Sequence, residues 1–436
     1  MLHRRVALAL PGLLALALAA PLAAQPLPTA KPEEVGLDPA RLARIRPALE
    51  REIEENRLPG AVVMVARRGR LAYAEAIGLR DRTANAAMPM DAVFRIYSMT
   101  KPLASVAAMM LVEEGRLQLT DPVGRFLPGF DRLQVAQPVA DATLARLTYR
   151  LVPQNRQMTV QDLLRHTSGL TYPETTSNQA VRTALMERGF QTTGAPEYDA
   201  RSLSPQEFVQ RLAQAPLMHQ PGTTFEYSLS TDVLGRVVEA VSGQRLEVFL
   251  EERLFRPLRM TDTGFALKDG QGGRLAQSLG VDWARGNAPV PMLDVSRPPG
   301  NASGGAGAIA SAGDYLRFLQ MLANGGQLDG QRILAPATVR LMTADHLAGL
   351  AVPEPPGALG TPGYGFGLGF AVRLQDGVAG VPGNAGQYMW AGYGGTYFWV
   401  DPKADLVAVF MSQAPSVQRP MHRRLFQTLV YSAVID

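Results

Sequence analysis

Apolar positions follow distinct rhythms along this chain. Near-continuous apolar runs at 60–66 and 71–76 flank Arg67-Arg68-Gly69-Arg70, which predicts two strands joined as a hairpin. The pattern returns near the other end, where runs at 396–400 and 406–411 flank Asp401-Pro402-Lys403-Ala404-Asp405; an apolar stretch at 365–372 predicts a further strand. Helical spacing marks 39–56, 103–114, 335–342 and 421–434. The 103–114 run ends at Glu114-Gly115, where glycine supplies a left-handed C-cap. A short amphipathic helix at 158–170 is stopped by Gly169, and Val233, Leu234, Val237, Val238 and Val241 form the apolar face of another, closed by Ser242-Gly243. Ser311 with Asp314 opens one more helix, which ends at Asn324-Gly325-Gly326. A loop-rich region opens at Asp121-Pro122, and 171–214 is polar and irregular, as a lid or rim beside a cleft would be.

Strands at both ends with helices between predict an α+β fold: one antiparallel sheet built from both chain ends and flanked by helices, with a mainly helical domain inserted. The expected division is 25–95 with 300–436 for the sheet-containing domain and 96–299 for the helical one, the active site lying between them. Gly300 to Gly307 reads as a tight structural crossing, because it lacks the strand and spacing of a nucleotide-binding loop.

Composition narrows the class. Of 436 residues 46% are hydrophobic and 19% charged, which suits a large folded core. The net charge of +4 comes from scattered Lys and Arg, so no nucleic-acid footprint is expected. His3-Arg4-Arg5, an apolar run at 6–20 and Ala23-Ala24 before Gln25 read as a secretory signal peptide over 1–24, implying a periplasmic or secreted protein without stable membrane insertion once the signal is removed; a retained anchor is the alternative. The absence of cysteine excludes disulfides, thiol catalysis and cysteine metal sites. His166, His219, His346 and His422 show no metal-ligand spacing, so neither metal nor cofactor is expected. Oligomeric state is not legible.

The candidate chemistry lies in Phe94-Arg95-Ile96-Tyr97-Ser98-Met99-Thr100-Lys101-Pro102. Three residues apart on a helix, Ser98 and Lys101 share a face, so an amine can take the proton from a hydroxyl nucleophile. A helix start at Ser98 also offers its N–H to a developing oxyanion. The same residues fit an ordinary helix start with a capping serine and an exposed lysine. Tyr227 stands at a loop-to-helix junction, where its hydroxyl projects into a cleft or its ring simply packs. His166, at a helix end, reads as a carbonyl cap rather than a catalytic group.

Ser98-Met99-Thr100-Lys101, then Leu163 to Leu170 (Leu-Leu-Arg-His-Thr-Ser-Gly-Leu), then Tyr227 within the segment from Pro221-Gly222 to Gly235, then Trp390-Ala391-Gly392 before a hairpin, resemble in order the serine β-lactamase-like and penicillin-binding-protein-like superfamily. The resemblance is closest to class C β-lactamase-related esterases, the family VIII carboxylesterases, and spans nearly the whole chain. It implies Ser98 as acylated nucleophile, Lys101 as base and Tyr227 as proton relay. It also implies substrate binding by Trp390, Ala391, Gly392, Tyr393 and Leu229, with the Tyr393 N–H as second oxyanion donor. True class C β-lactamases carry Lys-Thr-Gly where this chain has Trp390-Ala391-Gly392, and Asn where it has Leu229. Tryptophan and leucine offer neither a charge for a substrate carboxylate nor a hydrogen bond for its amide. The expected activity is therefore that of a serine carboxylesterase on short- to medium-chain esters. A β-lactamase or D-amino-acid peptidase, and a non-catalytic binding protein, are the alternatives. No Gly-x-Ser-x-Gly elbow of an α/β-hydrolase occurs.

Overall fold

The computed structural model describes residues 26–141, 146–190, 202–282, 286–353 and 362–436; the expected signal segment 1–24 lies outside the described residues. Both chain ends supply the main sheet. From one edge to the other its eight strands are Tyr364–Phe366, Ala371–Arg373, Tyr388–Ala391, Tyr397–Asp401, Leu406–Ser412, Gly60–Arg67, Arg70–Asp81 and Ala86–Ala87. All neighbours are antiparallel, and Val63 in the middle lies opposite Phe410 on one side and Glu75 on the other. The two expected hairpins form. Arg68 and Gly69, at φ 52° and 72°, turn the first with the left-handed backbone that a two-residue connection demands. Asp401 closes the second by accepting from the N–H groups of Lys403 and Ala404 at 3.0 and 3.2 Å.

Alternation along a strand sends neighbouring side chains to opposite faces, and both faces are covered. Phe398 meets Tyr315 of the helix Ala312–Ala323 at 5.4 Å between rings, while Trp399 meets Phe426 of the helix Arg419–Ser432 at 5.5 Å. Between these layers Gly60–Arg67 and Leu406–Ser412 are buried along their length, which explains their unbroken apolar runs, while Arg70–Asp81 is half-buried.

The helix Thr100–Glu113 is buried on every face from Thr100 through Leu111 and packs against the helix Ser230–Ser242. The helices Val160–Leu164, Gln179–Glu187, Pro205–Leu212, Ser230–Ser242 and Leu246–Leu250 lie in the middle of the chain, whose described residues contribute no strand to the main sheet. The inserted, mainly helical part is thus present.

Four local expectations are corrected. The helix over 39–56 is two, Pro39–Leu42 and Ile45–Glu54, because Pro47 lacks an N–H and its ring excludes a continuous helix past residue 43. The strand over 365–372 folds back on itself as Tyr364–Phe366 and Ala371–Arg373, the Gly367 N–H closing on the Phe370 carbonyl at 2.8 Å. The region after Asp121 holds a hairpin, Gln134–Asp141 with Arg146–Pro153; as a separate two-stranded ribbon it tolerates Pro138. The described part of 171–214 is largely helical: Asn178 caps Gln179–Glu187, and a Ser204/Glu207 capping box with Pro205 in the first turn starts Pro205–Leu212.

Candidate active site

The segment carrying the serine is set by the residue before it. Tyr97 has φ 44°, a left-handed conformation that a bulky side chain rarely adopts unless its surroundings fix it. Two contacts do so: its hydroxyl accepts from the Leu293 N–H at 2.9 Å, and its ring meets Tyr393 edge-on at 5.5 Å. A single 3-10 turn, Tyr97–Met99, then leads into Thr100–Glu113, with Pro102 in the first turn where no N–H is needed. The Met99 N–H donates to the Ile96 carbonyl at 3.0 Å, whereas the Ser98 N–H has no backbone acceptor among the described residues.

Ser98 and Lys101 meet as their spacing predicts, with Nζ 3.4 Å from Oγ. Lys101 is almost wholly buried, and its other neighbours are the Gly305 carbonyl at 2.8 Å and the Tyr172 hydroxyl at 3.0 Å. An ammonium can donate to all three acceptors; a neutral amine would keep a lone pair for the Ser98 proton. The Tyr227 hydroxyl is 2.7 Å from Ser98 Oγ, and Lys101 Nζ lies 4.6 Å from the centre of the Tyr227 ring. Ser98 Oγ therefore lies between an amine and a phenol.

Tyr227 is held by its loop and its ring. The Glu226 N–H donates to the His166 carbonyl at 2.9 Å, and the phenol ring packs between His166 at 4.9 Å, Trp390 at 5.3 Å and Tyr172 at 5.5 Å. His166 is buried, and burial followed by the nearby Lys101 charge holds its imidazole well below the ordinary histidine range. It is neutral at pH 7. Its Nδ1 pairs with the Ser228 hydroxyl at 3.2 Å, which continues through Ser230 to Ser168 at 2.7 and 2.8 Å. His166 follows the helix Val160–Leu164 with φ 57°; its imidazole backs Tyr227 and, among the described residues, caps no carbonyl.

The strand Tyr388–Ala391 runs beside these groups. Gly392 admits no side chain, because a Cβ would collide with the Ile96 carbonyl and the Thr396 hydroxyl. This tight fit brings Tyr393 alongside the turn that holds Ser98. Trp390 is only 2% exposed and packs behind Tyr227 against Phe366. Leu229 is fully buried in the core at the start of the helix Ser230–Ser242.

Two residues escaped the sequence reading. Tyr172 reaches Lys101 from the stretch read only as a rim. Gly305 belongs to the glycine-rich stretch read as a crossing, yet its carbonyl is the shortest contact of the lysine. A Cβ at Gly304 or Gly305 would strike Thr231 or Asp232, so the glycines let this stretch lie against the first turn of Ser230–Ser242 and point a carbonyl at Lys101. The Ala306 N–H, which shares a peptide with that carbonyl, is fixed by Ser303 Oγ at 2.9 Å. Among the described residues no group of His, Asp and Glu could hold a metal ion.

Residues 45–430 match the model of the family described as Beta-lactamase. Esterase EstB of Burkholderia gladioli is 34% identical over 399 residues, covering 87% of this chain and 93% of EstB. Monacolin J acid methylbutanoyltransferase of Aspergillus terreus is 27% identical over 409 residues, covering 88% of this chain and 94% of that protein. Among solved structures, EstCE1, described as a hydrolase with promiscuous acyltransferase activity, superposes with a TM-score of 0.70 at 28% identity, covering 90% of this chain and 99% of EstCE1. Simvastatin synthase LovD of Aspergillus terreus superposes with a TM-score of 0.72 at 24% identity over 90% of this chain and 98% of its own, a likeness that bears on the fold alone. With a family model spanning 45–430 and EstB matched over nearly its whole length, the chain belongs to the Beta-lactamase family.

Proposed function

We propose that this protein is a serine hydrolase of carboxylic esters with short to medium acyl chains, working through an acyl-enzyme on Ser98. The observation that carries this is the placement of Ser98 Oγ between Tyr227 Oη at 2.7 Å and Lys101 Nζ at 3.4 Å. In the first half-reaction Ser98 Oγ bonds to the ester carbonyl carbon while its proton passes to the Lys101–Tyr227 pair. The Ser98 and Tyr393 N–H groups stabilise the resulting oxyanion, each donor worth about 10²–10³-fold in turnover. Collapse expels the alkoxide, which takes the proton back through Tyr227 and leaves as the alcohol. Water then enters, loses a proton to the same pair, attacks the acyl carbonyl and releases the acid with Ser98 restored.

Esters rather than β-lactams are favoured by what flanks this machinery. The position that carries asparagine in the lactamases holds a leucine sealed in the core, and the strand presents Trp390 in place of a lysine, so neither an amide nor a carboxylate on the substrate finds a partner there. EstB and EstCE1, an esterase and a hydrolase by name, support the same choice. The test is hydrolysis of a para-nitrophenyl ester series beside a chromogenic cephalosporin. Ester turnover should have the higher kcat/KM and peak at short or medium chains; a higher value for the cephalosporin would overturn the ester reading while leaving the acyl-enzyme intact.

A further inference from the structure

The peptide linking Gly392 to Tyr393 has a partner on each side. Its N–H belongs to Tyr393, whose ring packs on Tyr97, the residue before Ser98, and its carbonyl belongs to Gly392 and accepts from Arg423 Nη2 at 2.8 Å. A trans peptide is planar, with C=O and N–H directed oppositely, so whatever holds the carbonyl also sets the direction of the N–H. Gly392 is pinned besides by its own N–H on the Thr396 carbonyl at 2.9 Å, and Thr396 Oγ1 reaches the Ile96 carbonyl at 3.3 Å. These contacts tie the strand end to the segment leading into Ser98.

Arg423 is an expensive residue to keep where it is. It lies on the helix Arg419–Ser432, only 6% exposed, and among the described residues it makes no ion pair. Burial, with Arg419 nearby, pushes its guanidinium down to about 9, which leaves it charged at neutral pH. Its Nε finds no hydrogen-bond partner, and its one hydrogen bond among the described residues is the one to the Gly392 carbonyl. A buried cation without a carboxylate costs stability, and an apolar residue of similar size would pack there at lower cost. The guanidinium also lies 6.0 Å from the centre of the Tyr397 ring; at the carbonyl its charge draws electron density toward the oxygen and so strengthens the N–H of the same peptide as a donor.

We infer that Arg423 is a positioning residue for ester hydrolysis, holding and polarising the Gly392–Tyr393 peptide so that the Tyr393 N–H binds the oxyanion of the tetrahedral intermediate. This rests on the reading of Tyr393 as an oxyanion donor. Arg423 touches neither substrate nor Ser98; it acts through one peptide bond.

The test compares wild type, Arg423→Met and Arg423→Lys, using para-nitrophenyl butyrate labelled with ¹³C at the carbonyl. Arg423→Met should lower kcat by about 10²-fold, as loss of one oxyanion donor does, with KM changed far less. Arg423→Lys, which keeps a charged donor, should recover most of that loss. Stopped-flow infrared difference spectra supply a readout that a merely structural role would not move. The acyl-enzyme carbonyl band should lie at lower frequency in folded wild type than in the denatured acyl-enzyme, and should move up in Arg423→Met. A shifted wild-type band that stays in place in a folded Arg423→Met variant overturns the inference about Arg423 alone. A wild-type band with no shift overturns the oxyanion reading beneath it, and the inference with it. Should Arg423→Met fail to fold, Arg423→Gln, which keeps a neutral donor, takes its place, and an unmoved band there overturns the inference equally.

Discussion

Replacing Ser98 by alanine should remove ester turnover, lowering kcat by about 10⁴–10⁶-fold, the loss expected when the nucleophile of a catalytic unit is deleted. The substitution removes one oxygen whose hydrogen-bond partners among the described residues are Tyr227 and Lys101, and leaves the lysine its contacts to Gly305 and Tyr172. The melting temperature should therefore stay close to wild type, so that the loss is chemical rather than structural. Para-nitrophenyl butyrate hydrolysis beside a circular-dichroism melt checks both halves. Turnover that survives in a folded Ser98→Ala variant would remove the serine from the mechanism.

The second large effect is expected from Tyr227→Phe, which should lower kcat by about 10²–10⁴-fold, the range for a group that moves a proton in the transition state. Only the hydroxyl is lost. The ring keeps its packing against His166, Trp390 and Tyr172, so the fold and the backing of the site persist. His166 is not placed to substitute, because its Nδ1 is engaged with Ser228 rather than Ser98. The relay role further predicts that the defect shrinks for esters whose leaving group needs no proton, such as para-nitrophenyl esters, and is full for alkyl esters. Equal turnover by wild type and Tyr227→Phe on an alkyl ester would refute the relay.

The elements with strong local signals were legible from residues alone. Hairpins declared themselves through apolar runs around Arg68-Gly69 and Asp401 to Asp405, and Ser98 met Lys101 because helical spacing dictates it. The helices at 179–187 and 205–212 carried readable caps, Asn178 and the Ser204/Glu207 pair, which the polar character of the surrounding stretch obscured. What had no local signal was contact across the chain. Nothing near Tyr172 indicates a lysine 71 positions earlier, nothing in Gly304-Gly305 indicates that their lack of Cβ points a carbonyl at it, and no pattern ties Arg423 to a peptide 31 positions before it. Motif order named Leu229 and Trp390, but their burial is decided by the packing of the helix Ser230–Ser242 and of the aromatic cluster, which no local pattern shows.

The covalent intermediate is the claim on which the rest depends, and intact-protein mass spectrometry reads it directly. Rapid acid quench of the enzyme during turnover of para-nitrophenyl butyrate should show one added butyryl group, located on the peptide containing Ser98 and absent from Ser98→Ala. An acyl group on any other residue, or turnover with no covalent adduct under conditions where para-nitrophenol is released in a burst, would contradict an acyl-enzyme at Ser98.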